Sequence, residues 1–275
     1  MLLSRYDREI KMKQLPNFFT LLNLLFGCIA IVYVLQPGLV PLYTNNGNVL
    51  MPDITNEGTQ FVSIPQQMFM ASLFIGLAAV IDFLDGFVAR WLKATSAIGA
   101  QLDSLADVVS FGVAPSMIVY QFLKLSYAQQ EDGLNTSSLW LIPAFFIACA
   151  GAYRLARFNV DTEQKNYFKG LPIPANGLLI ASFPLIYWTN DNALVTQVLI
   201  NPWFWYAIIL LASYLMVSNL PMLAMKFTNI STRKILPFII IAVVAVVSSL
   251  FIHWLAVPLS FVVYVLLSLL HKQPS

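Results

Sequence analysis

The architecture of this chain is legible in residues 69–123, FMASLFIGLAAVIDFLDGFVARWLKATSAIGAQLDSLADVVSFGVAPSMIVYQFL. Two apolar runs, 69–91 and 102–123, are connected through a short link, Arg90–Ile98, that holds Lys93, Thr95 and Ser96. Each run is close to the length an α-helix needs to span lipid, about 20 residues. The pattern predicts two antiparallel membrane helices joined by a tight turn. Four aspartates, Asp82, Asp85, Asp103 and Asp107, interrupt the apolar runs near that turn. An aspartate at membrane depth costs roughly 2.5–3.5 kcal/mol on insertion scales, so a cluster of them needs a functional reason.

Spacing says what the cluster can do. Asp82, Asp85, Gly86 and Ala89 stand at i, i+3, i+4 and i+7 and share one helix face. Asp103 and Asp107 stand at i and i+4 on the next helix, with Gly99 one turn earlier. The carboxylates therefore converge beside the turn, where they repel one another unless cations intervene. Hard oxygen donors with no neighbouring His or Cys select Mg²⁺ or Mn²⁺ over zinc. Four carboxylates suit two such ions about 3.5–4 Å apart, a geometry that clamps phosphate oxygens. Gly86 and Ala89 leave room on the acidic face, and the fork of Arg90 matches a diphosphate. Two alternatives stay open at this point. Small residues also serve close helix packing in membranes. Buried aspartates can also line a proton or ion pathway, which leaves Arg90 and the Gly/Ala spacing without a role.

The rest of the chain agrees with this core. Of 275 residues, 59% are hydrophobic and only 10% charged, and the mean hydropathy is +0.74. Soluble domains carry about 25% charged residues. The composition excludes intrinsic disorder and argues against a soluble enzyme. Eight apolar stretches fall near 18–36, 69–91, 102–123, 139–158, 174–189, 203–222, 235–252 and 254–271. No alternating pattern suggests a membrane barrel. The expected fold is an all-α, polytopic transmembrane bundle of about eight helices, because helices satisfy their own backbone in lipid. The fifth stretch is short and carries Pro184, and the last two share a link around His253 and Trp254 that suits a helical hairpin.

With the N-terminus in the cytoplasm, 14 of the 15 Lys and Arg fall on the inside and only Lys124 falls outside. Both termini are therefore expected on the cytoplasmic side. The loop 37–67 has no Lys or Arg and is expected outside. Residues 1–14 mix charges with Leu2, Leu3, Tyr6, Ile10 and Met12, which suits an interfacial helix or a solvated tail. The first apolar run outlasts a signal-peptide core and is expected to be retained. A single membrane domain is expected over 1–275. Cys28 and Cys149 sit in apolar runs as small hydrophobes, and His253 and His271 lie far from them, so no zinc site is expected. No nucleic-acid partner is expected either.

Asp82-Phe-Leu-Asp85-Gly86-Phe-Val-Ala89-Arg90, followed by Gly99, Asp103 and Asp107, matches D-x2-D-G-x2-A-R-x8-G-x3-D-x3-D at all eight specified positions. This motif resembles the signature of the CDP-alcohol phosphatidyltransferase family. The resemblance implies transfer of a phosphatidyl group from CDP-diacylglycerol to an alcohol, with release of CMP. It implies Asp82, Asp85 and Asp103 as metal ligands, and Asp107 as a further ligand and the general base. It sets Gly86, Ala89, Arg90 and Gly99 against the CDP moiety, and it implies a homodimer. The distribution of basic residues sets the active site at the cytoplasmic face, and a bacterial inner membrane is the expected location.

Other segments narrow the acceptor. Leu15-Pro16-Asn17-Phe-Phe-Thr20-Leu-Leu-Asn23 resembles the family's entry into its first helix. Pro16 suits a helix start. Asn17, Thr20 and Asn23 share a face that suits the nucleotide or, alternatively, helix–helix hydrogen bonds. Arg154-Leu-Ala-Arg157-Phe158-Asn159, Phe168-Lys-Gly170-Leu171-Pro172-Ile-Pro174-Ala175 and Ser218-Asn219-Leu220-Pro221 resemble the serine-using branch of the family. That resemblance implies L-serine as acceptor. Serine carries a carboxylate, which Arg154 or Arg157 can bind bidentately. Positive-inside anchoring is the alternative for both. Asn159 and Tyr153 are further candidate contacts, and Pro172 and Pro174 shape the loop. Glycerol 3-phosphate and inositol phosphate are the rival acceptors, and a metal or proton transporter is the rival class.

Overall fold

A computed structural model describes residues 2–36, 42–43, 49–50, 67–92, 96–130, 136–161, 168–223 and 232–270. The long helices are α1 (Leu2–Leu35), α2 (Met68–Trp91), α3 (Ala97–Asp107), α4 (Ala114–Ala128), α5 (Phe146–Val160), α6 (Ile173–Thr189), α8 (Pro202–Val217), α9 (Thr232–Ile252) and α10 (Ala256–Leu270). The short helix α7 (Ala193–Leu199) precedes α8 at an angle of 64°. Two-residue antiparallel pairings join β1 (Leu42–Tyr43) to β2 (Val49–Leu50), and β3 (Phe168–Lys169) to β4 (Pro221–Met222). The chain is thus an all-α polytopic membrane protein. By length and composition, five described helical segments can cross a bilayer, or six with the bent α7–α8 pair taken as one span. The apolar helix α6 is shorter than these.

α3 starts earlier than the apolar pattern suggests. Ser96 has an extended backbone, and its Oγ accepts the Gly99 N–H at 2.9 Å. This N-cap satisfies a donor at the helix end and moves the start from about 102 to Ala97. α3 then continues through a π-helical stretch, Val108–Val113, directly into α4. This composite helix is the centre of the molecule, with 67% of its apolar stretch buried, against 6% for Ile235–Leu270. Phe122 of α4 stacks on Trp205 of α8 with centroids 4.5 Å apart, and Phe183 of α6 meets Trp205 edge-on. The Trp205 indole N–H donates to the Leu199 carbonyl at 2.7 Å, which pins the α7–α8 bend.

Pro16 does not start a helix. It lies inside α1, which runs unbroken from Leu2. α8 ends at Val217, before the expected 222, because the chain turns there to form β4. Beside it, the Gly170 N–H donates to the Leu220 carbonyl and the Leu171 N–H to the Leu215 carbonyl, both at 2.9 Å. Gly170 has φ +79, and a Cβ there would collide with the Met216 carbonyl, so glycine alone suits this clasp. His253 has φ 48 and breaks α9 from α10. The Leu223 N–H donates to Ser268 Oγ at 3.2 Å, and the Tyr264 hydroxyl donates to the Leu223 carbonyl at 3.3 Å. The far end of α10 therefore returns to where the chain leaves β4, and α9 and α10 form an antiparallel hairpin.

Candidate active site

The four aspartates meet where α1, α2 and α3 pack together. Carboxylate oxygens of Asp82, Asp85 and Asp103 lie within 4.8 Å of one another. Helix α1 supplies their polar partners. Thr20 Oγ1 lies 2.9 Å from Asp85 Oδ2, and also 3.1 Å from its own helix carbonyl at Pro16. Asn23 Nδ2 reaches Asp107 Oδ1 at 3.4 Å and Asp82 Oδ1 at 3.5 Å, so one amide spans two carboxylates on different helices. The π-helical stretch holds the backbone that carries Asn23. Ser110 Oγ donates to the Asn23 carbonyl at 2.9 Å, and Gly27 leaves the room for Ser110 to approach α1. A π-turn adds a residue to the helix and re-aims side chains, which is why such turns gather at functional sites.

The donor set fits a divalent cation. It consists of carboxylate oxygens with no His or Cys, which is the chemistry of hard metal ions. Asn23 Oδ1 is buried beside them without a hydrogen bond. Without a cation, carboxylates this close would repel one another.

A cavity of about 220 Å³ opens from this cluster. Asp85 and Asp103 line it, together with Asn17, Thr20, Gly86, Ala89, Arg90 and Gly99. All six residues expected to contact CDP thus lie around one space. Pro16, Ser96 and Ala100 complete the wall. The two glycines differ. A Cβ on Gly86 would meet only the Arg90 guanidinium, at 3.7 Å, so this side of α2 is open. A Cβ on Gly99 would press on Asn17 Oδ1 and Ser96 Oγ at 3.0 Å, so Gly99 makes room for α1 and for its own cap as well as for a ligand. Lys93 and Thr95 lie outside the described residues.

The candidate acceptor residues separate. Arg154 is only 7% exposed, and its Nε has no hydrogen bond. Its electrostatic neighbours are Tyr264 and Asp107. Arg157, one turn later, donates to the Val217 carbonyl and to Asn219 Oδ1, so it closes the end of α8. Asn159 donates to Ser104 Oγ at 2.9 Å and ties α5 to α3. Tyr153 is 58% exposed on the outside of the bundle. Of these four, Arg154 alone is buried.

Two residues were missed by sequence reasoning. Ser110 gives no signal, because serine is common in apolar helices. Asn176 is fully buried, and neither atom of its amide is hydrogen-bonded. Its signal was available: it is the one amide in the apolar helix Ile173–Thr189. Chemically, the site can hold a cation-bound diphosphate in the cavity. Asp107 joins the same cluster through the Asn23 amide, which also reaches Asp82.

Comparison with known proteins agrees with this chemistry. Curated relatives in Helicobacter pylori (strain J99), Saccharomyces cerevisiae and Mycobacterium bovis all bear the name CDP-diacylglycerol–serine O-phosphatidyltransferase. The Helicobacter protein is 40% identical over 122 residues, 44% of this chain and 48% of that protein. The yeast protein is 41% identical over 125 residues, 42% of this chain and 41% of that protein. The mycobacterial protein is 28% identical over 233 residues, 82% of this chain and 66% of that protein. The chain thus spans about half the length of the first two relatives. The model of one family, described as CDP-alcohol phosphatidyltransferase, matches residues 13–203, which is more than half of the chain and takes in the whole acidic cluster with its cavity. On its motif, its site and this match, the chain belongs to the CDP-alcohol phosphatidyltransferase family.

Proposed function

We propose that this protein transfers the phosphatidyl group of CDP-diacylglycerol to L-serine, giving phosphatidylserine and CMP. The observation that carries the reading is the cluster of Asp82, Asp85 and Asp103 opening onto the cavity lined by Gly86, Ala89, Arg90 and Gly99. The names of the relatives support serine as acceptor.

Asp82, Asp85, Asp103 and Asp107 would hold two Mg²⁺ or Mn²⁺ ions, whose chemistry is to neutralise and polarise the diphosphate. Gly86, Ala89 and Gly99 leave space for the CDP moiety, Asn17 and Thr20 line its other side, and Arg90 binds phosphate oxygens through its planar fork. Arg154 holds the serine carboxylate. Asp107 takes the proton of the serine hydroxyl. The serine oxygen bonds to the phosphorus that carries diacylglycerol, and the bond from that phosphorus to the CMP oxygen breaks. CMP leaves with its charge countered by Arg90. A direct displacement of this kind inverts the phosphorus, and retention would contradict it.

The same reading sets the chain in a membrane as eight spans with both termini and the active site in the cytoplasm, in a bacterial inner membrane. The bias of 14 basic residues against one supports this orientation. Purified protein supplied with CDP-diacylglycerol and serine, glycerol 3-phosphate or inositol phosphate in turn tests the function. CMP release with serine alone is the expected outcome. Release with a phosphorylated acceptor instead would reassign the substrate. Metal uptake into vesicles without any cytidine nucleotide would favour a transporter.

A further inference from the structure

Asp82, Asp85 and Asp103 gather as one group, and Asp107 meets them through Asn23. We infer that Asn23, on α1, is an oxygen ligand of the second cation, which it shares with Asp82 and Asp107. This rests on the two-ion site proposed above and adds to it a residue outside the aspartate motif.

Three observations carry it. First, the groups around Asp82 fall into two sets. Oxygens of Asp82, Asp85 and Asp103 lie within 4.8 Å of one another. The Asn23 amide reaches Asp82 Oδ1 at 3.5 Å and Asp107 Oδ1 at 3.4 Å. Asp82 belongs to both sets, which suits a carboxylate shared by two ions about 3.5–4 Å apart.

Second, Asn23 has an oxygen to offer. The residue is 0% exposed, and its Oδ1 has no hydrogen bond. A buried acceptor without a partner is costly, and a cation beside it removes that cost. A half-turn of the side chain exchanges Oδ1 with Nδ2. It gives up only the two contacts of Nδ2, since Oδ1 holds none.

Third, the spacing is that of neighbouring ligands. N–H···O hydrogen bonds favour about 2.9–3.0 Å, so contacts of 3.4 and 3.5 Å are long for such bonds. Thr20, by contrast, meets Asp85 Oδ2 at an ordinary 2.9 Å. Oxygens at right angles around an ion 2.0–2.6 Å away stand about 2.9–3.7 Å apart. Side-chain amide oxygens are regular ligands of hard cations. This one is neutral, so it completes a ligand set without a fifth negative charge beside the diphosphate. Ser110 Oγ, which donates to the Asn23 carbonyl at 2.9 Å, keeps that stretch of α1 against the π-helical segment.

The test reads metal binding rather than turnover. Mn²⁺ alone is titrated into the purified full-length protein in detergent, and the free ion is followed by paramagnetic resonance. The wild type is expected to take up two ions. Asn23→Ala is expected to keep one at wild-type affinity and to weaken the other at least about tenfold, the scale on which groups around a metal tune its affinity. Asn23→Cys puts a soft thiolate at the same place, where it favours a soft ion such as Cd²⁺. Cd²⁺ is expected to give this variant an ultraviolet thiolate-to-metal band that the wild type, with Cys28 and Cys149 only, lacks. That band carries the test if Asn23→Ala does not fold, because a hydrogen-bonding asparagine predicts none. Wild-type affinity for both ions in Asn23→Ala would overturn the inference. So would an Asn23→Cys protein without the band, or a wild type that takes up a single ion. The parent reading fails separately, if the wild type binds both ions and releases no CMP with serine.

Discussion

The two sides of the site are built in opposite ways. On the aspartate side, polar groups from α1 are already in place. Thr20 meets Asp85, Asn23 spans Asp82 and Asp107, and Ser110 holds Asn23 from behind. On the other side, Arg154 is buried with its Nε unbonded. Fixed dipoles aimed at a reaction centre need no reorganisation when charge develops, so the aspartate side is arranged for chemistry. Buried polar groups without partners are expensive until a ligand satisfies them, so under the proposed function the arginine side serves recognition. The difference separates turnover from acceptor binding, and four substitutions test that separation.

The largest effect is expected for Asp107→Asn. Loss of a general base typically lowers the rate about 10²–10⁴-fold, so CMP release should nearly vanish, while Mn²⁺ binding measured by paramagnetic resonance persists in part. Wild-type-like turnover would remove Asp107 from the base role. Next comes Arg154→Ala, expected to raise the serine KM about 10- to 100-fold, the range for charge-assisted hydrogen bonds, with the CDP-diacylglycerol KM little changed. If both KM values rise together, the two sides are not separate. Asn23→Ala is expected to lower kcat about tenfold at unchanged serine KM, through loss of one bridging amide. A change confined to the serine KM would place Asn23 on the wrong side of the comparison. The smallest effect is expected for Arg157→Ala. Loss of its bonds to Val217 and Asn219 should destabilise the protein by about 1 kcal/mol, read by thermal unfolding in detergent, with the serine KM within twofold of wild type. A large rise in that KM would return Arg157 to the acceptor site.

The cluster of aspartates was legible because its geometry is local. Asp82 and Asp85, like Asp103 and Asp107, are brought to one face by helix periodicity alone, and the small residues beside them follow the same rule. The acceptor side was legible only as a set of candidates. Arg154 and Arg157 are equivalent by spacing, and the end of α8 distinguishes them by taking one as a cap and leaving the other buried. The segments around Gly170 and Asn219, read for their likeness to serine-using relatives, form a backbone clasp between α6 and α8. Helix α7 was missed because residues 190–201 hold several asparagines among the apolar residues, and Asn192 caps the helix. Asn192 marks its start in hindsight, but a single cap does not announce a short helix.

By itself, the sequence determined membrane residence, the all-α class and an acidic cluster beside Arg90, because these follow from composition and from contacts within one or two helical turns. Tertiary structure alone decided that Asn23 ties α1 to the carboxylates with Ser110 bonded to its backbone, and that Arg157 closes the end of α8 while Arg154 is buried with its Nε unbonded. Those relations join residues 59 to 87 positions apart or more, as Asn23 to Asp82 and Asn23 to Ser110 show. No periodicity reaches that far; packing of whole helices around the π-helical stretch sets them.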